Sequence, residues 1–366
     1  MNKEELKIKE DKIRKIIEEN KLAGILLATR TNFLWFTGGK RNDVINNNDT
    51  SLVYLFITKN KKYLIGTKTD GVRVFEEELS DFGLEPLFYN WYNQSFLDCL
   101  KRIGVKGSIG SDFVFKDFQF IEEELSKVRV DLTDFEVKRV SKLSKEYSKL
   151  LTRFCLNLKP GQTEKEIANK FKYECGKKGI NIIISMVGSD QRIFKYRHPI
   201  PTDKKVKNYV MLATGVEREG IIVDLTRSIY FGKVPEELMI KQREVNFIGA
   251  NYIDNSCPGV KLKNLFKIGV QAYKKVGYTD EWKNHHQGGI LDYKLGSYSA
   301  SPNCERVLSN NNIVSWNPTI TGVKSEDIIL VKGDGAEQLS IDKEWPYEEI
   351  TINNKSYIKP LILNIN

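Results

Sequence analysis

Short apolar runs alternate with charged, helix-periodic stretches through the first third of this chain, which predicts an α/β unit. Residues 4–19 read as a charged amphipathic helix leading into an apolar strand at 23–28. Two further runs, 52–57 and 62–66, are joined by the polar turn 58–61 and predict a hairpin. A helical stretch near 118–126 and a short strand at 128–132 complete the unit. The pattern then changes. Thr133-Asp134-Phe135-Glu136 matches a capping box, in which the Thr hydroxyl and the Glu side chain satisfy each other's free backbone donors. Behind it Val140, Leu143, Tyr147, Leu150, Leu151 and Phe154 recur at helical spacing, so a helix over 134–156 opens a second domain. The boundaries predicted are 1–132 and 133–366.

The second domain carries a faint internal repeat. Asn157-Leu158-Lys159-Pro160-Gly161 is echoed 98 positions later by Asn255-Ser256-Cys257-Pro258-Gly259, each between two helical stretches. The second helix of each pair runs out at a glycine, Gly179 or Gly277, with the same offset. A period this long is no solenoid; it predicts two similar halves packed face to face, with a site in the crevice between them.

Composition adds limits. The chain has 366 residues, 40% hydrophobic and 29% charged, and no apolar segment of membrane-spanning or signal-peptide length, which predicts a cytoplasmic protein. Five cysteines without a CxxC pair argue for free thiols and against a thiolate zinc site. The net charge of +9 comes from dispersed lysines, as in Lys59-Asn60-Lys61-Lys62, rather than a basic patch, so no nucleic-acid partner is expected. No phosphate-binding or dinucleotide glycine loop is present.

The candidate chemistry lies in the C-terminal half. Residues 210–215 and 221–224 read as paired strands around the turn 217–220, with Asp224 inside an apolar run where a carboxylate needs a partner or a ligand role. The chain has three histidines: His198 in Tyr196-Arg197-His198-Pro199, and the adjacent His285 and His286 before Gln287-Gly288-Gly289, where glycines allow close backbone approach to a ligand. Of these, His285 is expected to pack or cap. Trp316-Asn317-Pro318 and Ser325-Glu326-Asp327 place two more polar groups beside apolar strands.

In order and spacing these segments resemble the pita-bread hydrolases, the superfamily of methionine aminopeptidase, aminopeptidase P, prolidase and creatinase. The resemblance implies an α+β chain, with a creatinase-like α/β N-terminal domain followed by a pseudo-two-fold pita-bread domain, and a homodimer. Metal-using members hold two divalent ions with Asp, Asp, His, Glu and Glu. The second Asp, the His and the last Glu correspond to Asp224, His286 and Glu326, but the first Asp position is Ala213 and the first Glu position is Asn317. A second histidine of the family's loop is replaced by Tyr293. Two ions could not be held, and no metal cofactor is expected; one divalent ion could still find Asp224, His286 and Glu326. Creatinase offers a precedent for metal-free C–N hydrolysis. By that resemblance His198, His286 and Glu326 are the catalytic candidates, and Asp224, Arg197, Tyr293 and Asn317 the substrate-binding ones, with Arg197 or Arg227 holding a substrate carboxylate. The expected partner is a small amino-acid-like molecule or a dipeptide. Two alternatives stand: a mononuclear Xaa-Pro dipeptidase, and a non-catalytic peptide- or protein-binding relative.

Overall fold

The computed structural model describes residues 2–45 and 48–365. The chain divides into two compact units, residues 1–135 and 136–366.

In the first unit the helix Lys3–Glu19 starts from Asn2, whose side chain accepts from the Glu4 amide. Its buried isoleucines, Ile13, Ile16 and Ile17, lie at helical spacing, and each contributes roughly 1.5–3 kcal/mol by leaving water. The six-stranded sheet runs in the order Glu85–Tyr89, Lys62–Thr67, Thr50–Thr58, Gly24–Thr29, Ile109–Ser111 and Gln119–Phe120. The hairpin between Thr50–Thr58 and Lys62–Thr67 closes through the Thr58 amide on the Lys61 carbonyl. The strand expected at 128–132 is absent. Residues Glu122–Arg129 are helical instead, and the Lys12 ammonium binds the carbonyls of Val128 (2.9 Å) and Asp131 (2.7 Å) at the helix end. Valines there favour a strand by propensity, but a tertiary cap on the last carbonyls holds the helix.

The second unit builds the repeat. The helices Asp134–Leu156 and Glu164–Gly176 precede the strands Asn181–Ser189, Tyr209–Arg218 and Ile221–Phe231. The helices Glu236–Asp254 and Leu262–Lys275 precede the strands Gly288–Leu291, Ile313–Trp316 and Asp327–Lys332. The correspondence reaches single bonds. The Gly161 amide donates to Val206 O (2.8 Å) and the Gly259 amide to Leu308 O (2.9 Å), at φ values of 85° and 90° that suit glycine. Thr163 and Lys261, 98 apart, each stand at the N-cap position of the following helix, and each forms an isolated bridge to a later segment.

Each half contributes one antiparallel sheet core. The first sheet gains a parallel edge from Leu363–Ile365, and the second carries Tyr298–Ser299 and Gly335–Gln338 at its edges. The halves meet where Ile221–Phe231 runs beside the start of Asp327–Lys332, with the Thr226 amide on the Glu326 carbonyl at 3.4 Å. Ile221–Phe231 is buried over almost its whole length, so its charged residues must find partners inside the protein.

Candidate active site

His198 is carried by a loop that four hydrogen bonds to one buried carboxylate fix in place. The Glu164 carboxylate accepts from the Ser189 hydroxyl (2.8 Å), Arg192 Nη1 (2.8 Å), and both the amide (2.9 Å) and hydroxyl (2.7 Å) of Thr202. At Gly188 a Cβ would meet Pro199 Cγ at 2.6 Å, so the missing side chain is what lets Pro199 press onto the strand and aim His198. From the other half, His285 and His286 precede Gly288, whose φ is 98° and whose Cβ would lie 2.0 Å from the Ser315 carbonyl oxygen. Only glycine lets the two strands approach so closely there.

The three histidines converge. His198 Nε2 lies 2.9 Å from His285 Nε2, so one ring donates and the other accepts, and the rings of His285 and His286 stack with centroids 4.3 Å apart. His285 therefore belongs to the cluster rather than packing beside it. Burial first, and then the Lys324 ammonium, lower the pKa of all three; His285, the most enclosed, falls to about 2. They are neutral imidazoles at neutral pH.

Below them lies a cavity of about 460 Å³ lined by His198, His286, Asp224, Asn317, Lys324 and Glu326, with apolar walls that include Met186 and Leu295. The hairpin Tyr209–Arg218/Ile221–Phe231 pairs Ala213 with Thr226 and Gly215 with Asp224, which puts Ala213, Asp224 and Thr226 on one face. Thr226 donates its hydroxyl to Glu326 Oε2. Lys324 Nζ stands 3.1 Å from the same oxygen, and Asn317 Nδ2 donates to Glu326 Oε1 at 3.2 Å. Burial alone would raise the Glu326 carboxyl, but Lys324 and these hydrogen bonds outweigh it and hold it below its ordinary value. Asp224 goes the other way, raised to about 7 by burial first and by the Glu326 charge second. Asp224 Oδ1 and Asn317 Oδ1 are buried without a hydrogen-bond partner.

Of the residues singled out in the sequence, the fold thus gathers His198, His286, Asp224, Asn317 and Glu326 around one cavity. Three others go elsewhere. Arg197 pairs with Glu281 and donates to the Thr321 hydroxyl (3.0 Å), so its guanidinium is committed within the protein. Arg227 is buried against Asp327 (3.1 Å) and the Trp345 ring, which commits its guanidinium within the protein and away from a substrate carboxylate. Tyr293 is fully enclosed, and its hydroxyl donates to Glu136 Oε1 at 2.8 Å. Sequence reasoning missed Lys324. Its signal was a single basic residue in Gly322-Val323-Lys324-Ser325-Glu326, at the head of an apolar strand.

Residues 138–333 match the model of metallopeptidase family M24, and residues 10–140 match the creatinase/prolidase N-terminal domain. The chain belongs to metallopeptidase family M24. An Xaa-Pro dipeptidase from Pyrococcus horikoshii is 23% identical over 91% of this chain and 97% of its own length. Among solved structures, a dipeptidase from the same organism superposes with a TM-score of 0.80 at 19% identity, covering 98% of this chain and all of its own. A dipeptidase from Mycobacterium ulcerans gives 0.80 at 15% identity over the full length of both. These likenesses establish the fold: a creatinase N-terminal domain and an M24 domain.

The M24 name implies divalent metal, and the donors present do not fit the family's pair of ions. Ala213 ends in a methyl, Asn317 turns its Nδ2 toward Glu326, and both Glu326 oxygens already accept from Thr226, Lys324 or Asn317. Among the described residues, the one group of three histidine, cysteine or carboxylate ligand atoms lying within 4.8 Å of one another is His198, His285 and His286, two of which are hydrogen-bonded to each other. Among the same residues no helix is long and apolar enough to cross a membrane.

Proposed function

We propose that this chain is a hydrolase of the Xaa-Pro peptidase and creatinase type that cleaves a C–N bond in a small, amino-acid-like substrate without the usual pair of metal ions. The observation that carries the reading is that His198 lines the same cavity as two unpartnered acceptors, Asp224 Oδ1 and Asn317 Oδ1. Buried acceptors without donors cost about 1–3 kcal/mol each, and a substrate bearing N–H groups, such as an amide, an ammonium or a guanidinium, supplies the missing donors.

His198 is the acid–base group. Held neutral by burial and by Lys324, it takes a proton from the attacking water and returns it to the leaving nitrogen, while its bond to His285 fixes the ring. Asp224, Asn317 and Glu326 orient the substrate, and His286 closes the cavity beside His198. The names of relatives, Xaa-Pro dipeptidase among them, support a dipeptide or a compound of that size as substrate. The five free cysteines support a reducing, cytoplasmic setting.

The test is a panel of Xaa-Pro dipeptides, amides and guanidino acids. His198→Ala should lower kcat/KM about 10²–10⁴-fold on whichever is cleaved while leaving the melting temperature unchanged. Full activity in that variant ends the reading. Cleavage confined to Xaa-Pro dipeptides and lost on chelation replaces it with a mononuclear dipeptidase, and no turnover across the panel with a binding protein.

A further inference from the structure

Lys324 is the one cation among the cavity's polar groups, and its placement is fixed from both sides. A short hairpin pairs Thr319–Ile320 with Val323–Lys324, turning at Gly322, whose φ of 99° favours glycine. The Ser325 amide then binds the Pro318 carbonyl at 3.1 Å, so that Asn317 and Lys324 are presented together to Glu326. The Lys324 and Glu326 side chains are each only 4% exposed. A lysine this deeply buried is rare unless paired, and Glu326 is its pairing partner.

The charge count explains what the pairing does. The five family ligands implied by the resemblance include four carboxylates, which need divalent cations to balance them. Here two of the four positions are Ala213 and Asn317, leaving Asp224 and Glu326. One ammonium in contact with Glu326 reduces the formal charge of the remaining group to that of a single carboxylate. A divalent ion entering beside Asp224 and Glu326 would meet the Lys324 charge at close range, and like charges a few ångströms apart in a buried site repel strongly.

We propose that the Lys324 ammonium is the resident cation of this site, standing against Glu326 where the family uses metal, and that it denies the Asp224, His286 and Glu326 group to divalent ions. Lys324 is thus a specificity-determining residue. Lys324 also lines the cavity, where its ammonium can donate to a carbonyl or carboxylate oxygen of the substrate. The inference deepens the function proposed above and rests on it for the choice of site. Its test counts ions rather than turnover, so either can fail alone.

Wild type, Lys324→Met and Lys324→Gln are each titrated with Mn²⁺, Co²⁺ and Zn²⁺ by calorimetry. Bound metal is then counted by mass spectrometry after desalting, with circular dichroism confirming that each variant is folded. The expected result is no stoichiometric ion on wild type, and one ion per chain on a lysine variant, with affinity raised on the order of 100-fold. That gain should disappear when Glu326→Gln is added. One tightly held ion on wild type overturns the proposal without reference to any variant. So does a folded lysine variant that binds no better than wild type, or a gain that survives Glu326→Gln, which would place the ion on the three histidines instead.

Discussion

Glu326 and Asp327 are adjacent in the chain and equally buried, yet their surroundings are opposites. Asp327 is saturated. Oδ1 accepts from Arg227 Nη2 (3.1 Å) and the Ser340 hydroxyl (3.1 Å), Oδ2 from Lys359 Nζ (2.8 Å), and Arg227 packs on Trp345. Glu326, on the other face of the strand, also has its donors, but it shares its side with Asp224 and Asn317, which keep unpartnered oxygens, and with a cavity. A closed network of buried charges belongs to the fold, because every member has its partner within the chain. A network with open acceptors on a cavity is unfinished until something binds, and that marks the site.

The comparison is sharpest where the closed network is opened. Asp327→Ala removes the one carboxylate that both Arg227 and Lys359 contact and leaves two buried cations without it, which should cost about 3–5 kcal/mol in urea unfolding. Asp327 also sets an acid limb. Burial pushes its carboxyl up, but Lys359 and Arg227 outweigh that and lower it below its ordinary value. Its contribution is therefore present above the unfolded pKa, about 3.9, and is lost as pH falls through the folded value. Wild-type stability in Asp327→Ala, or an acid limb unchanged by Asp327→Asn, would contradict the distinction.

Asp224 has the opposite sign and a smaller effect. With its carboxyl raised to about 7, the folded state binds the proton more tightly than the unfolded chain, so stability drains away between about pH 4 and 7 as pH rises. Asp224→Asn should then be more stable than wild type at pH 8, by about 1–3 kcal/mol, and indistinguishable below pH 4. A variant destabilised at pH 8 would show that Asp224 is part of the fold after all. The smallest effect belongs to the surface pair Lys165 and Asp203, 2.7 Å apart with side chains 54% and 81% exposed. Lys165→Ala should leave stability within about 0.5 kcal/mol, because solvent already screens that contact; a larger loss would mean that contact distance, rather than burial, governs these pairs.

Much of this architecture was legible in the residue pattern. The helix Asp134–Leu156, the hairpin bearing Ala213 and Asp224, and the 98-residue echo of Gly161 in Gly259 follow from helical spacing, alternating turns and glycines with positive φ. These are local rules, and the chain obeys them locally. The segment 128–132 departed from them because Lys12, more than a hundred residues away in sequence, caps the preceding helix.

The sequence by itself also determined which chemistry is missing, since a methyl at Ala213 and an amide at Asn317 are facts of composition that no packing can change. Partner choice was decided by the tertiary structure alone. Thr226 meets Glu326 across 100 positions, Arg227 meets Asp327 across the same separation, and Tyr293 turns away from the cavity to Glu136 across 157. Each charged side chain had several residues of suitable sign within reach in the sequence. Only the meeting of the two halves fixed which one it faces, and so left Lys324 rather than an arginine beside Glu326. The physical reason is that a buried charge is settled by whatever shares its cavity, and two strands a hundred residues apart become neighbours only once the core has closed.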